Sequence, residues 1–336
     1  MATHSMVAVV TGGSAGVGRA TVKRLAGQGY DVAILARGEA GLAGAVADVE
    51  KAGRRGLAIE VDVSDERAVH DAARRAEREL GEVYAWVNVA FVGTLAFSWD
   101  TSMEEFRRVM DVTFYGQVNG TMAALELMRP RDRGVIVNVG SAMAYRSIPL
   151  QAPYCAAKHA VKGFTESVMT ELAHEKSKVK LCMVQLPGLN TPQFKWNLNK
   201  MAEHPMPVPP IYEPALAAKG IVHLVEHPRR NLWVGVPTAG TILGERLFPK
   251  LLDLYLGRSG VKSQQSGKDA PRSGPNLWEP QDRGADAGAD GAFEGKAHSH
   301  DPVLWAATHR RELVGGLVAA GAAAGAAVGL RDSRSG

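Results

Sequence analysis

Short apolar runs recur through the first three quarters of the chain, at Val7–Val10, Val32–Leu35, Leu57–Val61, Ala85–Val89, Val135–Val139 and Leu181–Leu186, with a seventh at Leu232–Val236. Stretches with helical spacing lie between them, over Gly16–Gly29, Gly38–Ala52, Glu66–Leu80, Met103–Met128 and Pro214–Glu226. A strand that is apolar at nearly every position must be covered on both faces. Helical crossovers between such strands let them lie parallel. The pattern therefore predicts an α/β fold with a doubly wound parallel sheet, in one domain over residues 1–257, a length sufficient for a sizeable core. No internal repeat is visible.

The first run leads straight into Thr11-Gly12-Gly13-Ser14-Ala15-Gly16-Val17-Gly18, after which helical spacing begins at Ala20, Val22, Leu25 and Ala26. A glycine-rich turn between strand and helix lets the main chain approach a pyrophosphate, and the helix N-terminus offers it free N–H groups. Gly12, Gly16 and Gly18 do not have the G-x-G-x-x-G spacing, so the turn alone also suits an ordinary strand-to-helix connection. A second cluster lies near mid-chain. The run from Gly134 ends at Gly140-Ser141, and Tyr154 and Lys158 follow at i and i+4, on one helix face. A free phenol titrates near ~10, and a neighbouring cation draws that value down toward the range acid–base catalysis needs. The Ser141 hydroxyl, at a strand end, could hold a carbonyl or alcohol oxygen against the phenol. Taken alone, Tyr-x-x-x-Lys is also common on solvated helix faces.

Together, Thr11-Gly12-x-x-x-Gly16-x-Gly18, Ser141 and Tyr154-x-x-x-Lys158 resemble the short-chain dehydrogenases/reductases of ordinary length, over residues 5–257. The resemblance implies a single Rossmann-like domain that binds a nicotinamide dinucleotide and moves a hydride to or from a carbonyl. It implies Tyr154 as proton donor or acceptor and Ser141 as the group that orients the substrate oxygen. Lys158 would hold the nicotinamide ribose hydroxyls and lower the phenol's pKa. By the same resemblance Thr11, Gly12, Ser14, Gly16, Val17 and Gly18 form the dinucleotide turn, and Asp62 and Val63 meet the adenine. Asn88 and Ala90 lie near the ribose, and Leu189 and Thr191 bind the nicotinamide carboxamide. Copies of the chain would pair through the helices of Met103–Met128 and Tyr154–Ala173, as a homo-dimer or tetramer.

The second run, Val32-Ala-Ile-Leu-Ala-Arg37, ends in a cation with no Asp or Glu before Glu39. An acid there would accept the adenosine ribose hydroxyls, whereas Arg accommodates a 2′-phosphate. Arg37, with Ser14 adding a hydroxyl, favours NADP(H) over NAD(H). Three departures from the family pattern stand out. Asn88-Val89-Ala90-Phe91 has Phe where the family has Gly, which places a ring close to the cofactor's path. Asp111-Val112-Thr113 has Thr where the family has an Asn that steadies a water in a proton relay to the Lys, leaving Thr113 as its replacement. Pro187-Gly188 is one residue out of the family's Pro-Gly register once Thr191 is aligned, which puts Leu186 and Pro187 at those sites. Met143, Tyr145, Arg146, Ile148, Leu150 and Gln151 flank the Ser-Tyr segment. Phe194–Pro210, with Trp196, Met201 and Met206, stands where the family has a variable lid, and suits an apolar substrate or plain packing.

Two cysteines argue against a disulfide scaffold and for a reducing, cytoplasmic setting, and Cys155 reads as a small helix residue. No His spacing suggests a metal, and His298-Ser-His300 sits in a polar tail. The net charge of +4 is spread rather than gathered into a basic stripe, so no nucleic-acid partner is expected. No N-terminal signal segment fits ahead of a turn that begins at Thr11. Past the domain, residues 258–302 are rich in Gly, Ser, Asp, Pro and Gln and read as a disordered or loosely packed linker, with Leu277-Trp-Glu-Pro280 as a small docking patch. Residues 303–336 contain an uncharged Ala/Gly-rich stretch, 313–330, flanked by Arg310-Arg311 and Arg331, near the lower limit for a bilayer span. Gly321, Gly325 and Gly329 share one helix face, as in packed membrane helices, so a membrane-associated or helix-pairing segment is set against a plain Ala-rich tail. The favoured function is an NADP(H)-dependent carbonyl reductase or alcohol dehydrogenase for a small apolar substrate. The alternative is a cofactor-binding protein of low turnover, a redox sensor or membrane-tethered interaction protein.

Overall fold

The computed structural model describes residues 6–270, 275–310 and 312–313. Its centre is a seven-stranded parallel sheet of β1 (Val7–Thr11), β2 (Asp31–Ala36), β3 (Gly56–Glu60), β4 (Val83–Asn88), β5 (Val135–Val139), β6 (Lys180–Gln185) and β7 (Asn231–Trp233), ordered 3-2-1-4-5-6-7. The β-branched runs supply strands buried on both faces. Ala8, Val10, Val32 and Ile34 pack toward α1 (Gly16–Gly27), α2 (Glu39–Lys51) and α7 (Pro214–Glu226), where they meet Leu25, Leu42 and Ile221. Their alternates Val7, Val9, Ala33 and Leu35 pack toward α3 (Glu66–Leu80), α5 (Gly116–Met128) and α6 (Ala152–His174), where they meet Val69, Ala124 and Leu172. Period-two side chains on a two-faced sheet produce this split. The strand order reverses between β1 and β4, and ligands of open parallel sheets bind at the carboxyl ends beside such a switch point.

Two expectations are refined. The helical stretch Met103–Met128 is continuous but not α throughout: α4 (Met103–Met110), begun by a Ser102–Glu105 capping box, widens into a π turn at Asp111–Tyr115 before α5. The wider turn re-aims the helix so that Val112 faces the groove above the switch point and Thr113 faces the loop after β4. The seventh strand stops at Trp233 rather than at Val236. The chain turns at Gly235, with φ of 88°, and its N–H donates to the Asp301 carboxylate at 2.7 Å before α8 (Val236–Leu247) and α9 (Pro249–Ser259).

The stretch 258–302 is likewise not a loose linker where it is described. Gln265–Asp269 pairs antiparallel with Glu203–Pro205, Ala297–His298 pairs parallel with Ile211–Tyr212, and α10 (Pro302–Thr308) buries Leu304 in the core. Leu277 of the expected docking patch is fully buried against the chain's own domain. A few apolar anchors, with carboxylates and carbonyls between them that find donors on the domain, are enough to hold it. Residues 314–330 of the Ala/Gly-rich stretch lie outside the described residues. Among those described, no helix is long and apolar enough to cross a membrane.

Candidate active site

The glycine turn after β1 occupies the switch point. Gly12 has φ of 66°, and a Cβ there would stand 2.7 Å from the Ala90 Cα; one on Gly18 would stand 2.0 Å from the Gly12 carbonyl oxygen. Only glycine allows this approach of α1 to the strand ends. Beyond it runs a groove lined by Gly12, Ser14, Gly16, Val17, Gly18, Arg37, Asp62, Val63, Ala90, Ser141, Tyr154, Lys158, Leu189 and Thr191. Most of the residues assigned by resemblance are thus brought together. The glycines leave the main chain at the start of α1 without side chains toward the groove, as a pyrophosphate site requires, although the Gly16 N–H is bonded to the Gly288 carbonyl at 3.0 Å.

Thr11, Asn88 and Thr113 are the exceptions; none lines the groove. Thr11 Oγ1 accepts the N–H groups of Val89 (3.1 Å) and Ala90 (3.3 Å), which fixes the loop rather than a ligand. Asn88 is buried in a polar network: it accepts from Trp86 Nε1 at 2.8 Å and donates to Asn138 Oδ1 at 2.8 Å, and Asn138 in turn donates to Thr165 at 3.0 Å. The last side chain of β4 points into the layer between sheet and helices, so it joins β4 and β5 to α6. Thr113 donates to the Val92 carbonyl at 2.9 Å and accepts from the Val92 N–H at 3.1 Å. Its one proton is committed to the loop.

At the other end of the groove, Ser141 follows β5 and Tyr154 and Lys158 stand on α6. Burial pushes the Tyr154 phenol up, above the usual phenol range, and the hydrogen bond with Ser141 only partly offsets this. The expected lowering by Lys158 is therefore corrected. The ammonium is turned to the Val139 carbonyl at 2.7 Å and sits 5.6 Å from the centroids of both the Tyr154 and Phe91 rings. Burial lowers Lys158 to about 7. Phe91, the departure after β4, tilts against Tyr154 with centroids 5.5 Å apart, so the ring sits over the ammonium as a cation–π partner. Met143, Gln151, Gln193, Phe194 and Trp196 also line this end, whereas Tyr145, Arg146, Ile148, Leu150, Met201 and Met206 do not. Arg146 instead pairs with Glu245 and Asp253.

Of the segment from Asn276 to Phe293 the sequence marked only Leu277–Pro280, as a docking patch; the segment folds back beside the groove, and Asn276, Pro280, Gln281 and Asp282 join its lining. Arg37 donates to the carbonyls of Asn276 (2.6 Å) and Trp278 (2.9 Å), and lies 3.6 Å from Asp62. Burial lowers the Arg37 pKa, with Asp62 opposing. Arg108 donates to the Leu277 carbonyl at 2.8 Å and to the Asp62 carboxylate, and stacks over the Trp278 ring. Burial acts to raise Asp62, but the bonds from Arg108 and Ser64 outweigh it and hold the carboxyl low. Further along, the buried Arg19 of α1 binds both oxygens of Asp286, at 2.9 and 3.1 Å. The Gly288 carbonyl accepts the Gly16 N–H at 3.0 Å, and Asn190 Oδ1 accepts the Phe293 N–H at 2.9 Å. No local pattern marks these residues, because each acts only once the segment has folded back. Among the described residues, no cluster of His, Cys, Asp or Glu could hold a metal ion.

A parallel sheet with a glycine turn at its switch point, and a Ser, a Tyr and a Lys at the far end of the same groove, defines a dinucleotide-dependent oxidoreductase. The chain belongs to the short-chain dehydrogenase/reductase family, since residues 6–202 match the family described as short chain dehydrogenase. It is 31% identical over 328 residues to YxnA of Bacillus subtilis (strain 168), an uncharacterized oxidoreductase, covering 94% of this chain and 90% of the relative. It is 31% identical to the 3-oxoacyl-[acyl-carrier-protein] reductase of Bos taurus, covering 66% of this chain and 92% of that one. Among solved structures it is similar to a variant actinorhodin polyketide ketoreductase with NADPH (TM-score 0.55, 29% identity, 58% of this chain and 75% of that one). It is also similar to levodione reductase (TM-score 0.54, 27% identity, 56% and 74%). As a family member it is an oxidoreductase that works on a carbonyl or alcohol with a nicotinamide cofactor.

Proposed function

We propose that the chain reduces a small apolar ketone, or oxidises the matching alcohol, with Tyr154 as the proton-transfer group. The convergence of Ser141, Tyr154 and Lys158 on one end of the groove carries this reading. When bound, a nicotinamide dinucleotide supplies or takes the hydride. Gly12, Gly16, Val17 and Gly18 would face its pyrophosphate, Val63 and Ala90 its adenosine half, and Leu189 and Thr191 its nicotinamide end. The Ser141 hydroxyl orients the substrate oxygen, and the Tyr154 phenol donates a proton to it in reduction. Burial favours the protonated phenol, the form that reduction needs. Lys158 changes charge near neutrality and restores the proton balance beside the phenol. Phe91, Met143, Phe194 and Trp196 make the substrate end apolar.

Arg37 and Ser14 are the residues that support NADP(H), to the extent that the guanidinium is free of the Asn276–Trp278 carbonyls. Exposed Met103, Tyr115 and Met122 on α4, the π turn and α5 support pairing of two copies through these helices. A panel of ketones and alcohols, assayed with NADH and NADPH on wild type and Tyr154→Phe, tests the reaction. Turnover that falls at least a hundredfold in Tyr154→Phe is expected, in line with the loss of a general acid. Dinucleotide binding with no Tyr154-dependent turnover would leave a cofactor-binding protein in place of the enzyme.

A further inference from the structure

The groove's adenosine end is walled by Asp282, from outside the sheet-and-helix domain. Its main chain is anchored to the start of α2, where its carbonyl accepts the Gly41 N–H at 3.1 Å and the Arg283 carbonyl accepts the Ala40 N–H at 3.3 Å. The carboxylate fills the space left by two glycines: a Cβ on Gly38 would fall 1.8 Å from Oδ1 and one on Gly41 would fall 2.2 Å from Oδ2. Asp282 is 4% exposed, and its Oδ2 is a buried atom with no hydrogen-bond partner among the described residues. It lines the groove together with Ser14 and Arg37. A buried carboxylate oxygen without a donor is unfavourable, so this position calls for a ligand that donates hydrogen bonds.

Beside the end of β2, the donors a dinucleotide presents are the vicinal hydroxyls of the adenosine ribose. A 2′-phosphate at the same place would meet a fixed carboxylate, and would find two of the five Arg37 N–H donors already bonded to the carbonyls of Asn276 and Trp278. We infer that Asp282, delivered by the segment after α9, is the subsite for the adenosine ribose diol and makes the chain select NAD(H) over NADP(H), overriding Arg37. In this arrangement β2 is followed by the cation Arg37, and the acid that reads the ribose comes from 245 positions further along the chain (282 − 37). Arg37 then serves to hold the segment that carries the acid. The inference rests on the reading of the groove as a dinucleotide site.

The test titrates the wild-type chain of residues 1–336, Asp282→Asn and Asp282→Ser with NADH and with NADPH, read by tryptophan fluorescence and calorimetry. Wild type is expected to bind NADH at least about tenfold more tightly than NADPH, the scale of one hydrogen bond to a charged group. Asp282→Asn and Asp282→Ser are expected to weaken NADH by a similar factor, leave NADPH equal or tighter, and so abolish the preference. A wild type that prefers NADPH, or a ratio unchanged in both variants, overturns the inference. The wild-type ratio decides by itself if the variants do not fold. Failure to bind either dinucleotide would overturn the groove reading as well. A preference for NADPH with Tyr154-dependent turnover overturns only the role of Asp282.

Discussion

Cofactor binding should carry a proton into the site, and the amount can be worked out from Lys158. Its ammonium is buried, donates to the Val139 carbonyl at 2.7 Å, and has no carboxylate paired with it among the described residues. Burial brings its pKa down to about 7, so at pH 8 only about one chain in ten carries the charge. Ribose hydroxyls placed on Nζ would favour the charged form and raise that pKa. With a rise of ~2 units, binding of NADH takes up about 0.8 proton at pH 8 and about 0.1 at pH 6, and affinity falls roughly ninefold from pH 6 to pH 8. Calorimetric titration in two buffers of different ionisation enthalpy measures the uptake directly. NADH is the right probe, because it lacks a 2′-phosphate that titrates in the same range. No uptake at pH 8, or the same uptake in Lys158→Met, would refute the reasoning. The same shift acts on the free protein with a definite sign. A lysine whose folded pKa is lowered opposes folding when charged, so the penalty is full below pH about 7 and fades as pH rises toward the free amine value.

Two packing predictions accompany it. Thr113→Val keeps the volume but strands the buried N–H and carbonyl of Val92, which should destabilise by about 2–4 kcal/mol and lower the melting temperature by roughly 5–10 °C; an unchanged melt would remove the assigned role of Thr113. Leu277→Ala deletes the fully buried anchor of the segment beside the groove, at about 2–5 kcal/mol for such a site. Amide exchange should speed up across Asn276–Gly291 in that variant, and unaltered protection there would show that the polar contacts of Arg37, Arg108 and Arg19 hold the segment by themselves.

The sheet could be read in the sequence because its signal is local. Runs such as Val7–Val10 and Val135–Val139 are apolar at every position, or nearly so, and only strands covered on both sides accommodate them. The glycine turn and the Ser141, Tyr154 and Lys158 spacing could be read for the same reason, since the chemistry is set by positions a few residues apart. The π turn at Asp111–Tyr115 was invisible, because one extra residue in a helical turn leaves the apolar pattern almost unchanged. The side-chain directions of Thr11, Asn88 and Thr113 were equally hidden. Each lies beside the groove in sequence, but strand register and loop contacts turn each one away from it.

What the sequence by itself determined is the α/β layering, the switch point under the glycine turn, and the identity of the groups able to move a proton. Only tertiary structure decided how those groups behave. The Tyr154 phenol is raised rather than lowered, because burial acts on it directly while the neighbouring ammonium is turned to a main-chain carbonyl. The surroundings of Arg37 depend on a segment more than two hundred residues away. That segment looked like a linker because composition averages over residues, whereas burial of Leu277 and anchoring of Asp286 by Arg19 depend on single side chains meeting single partners.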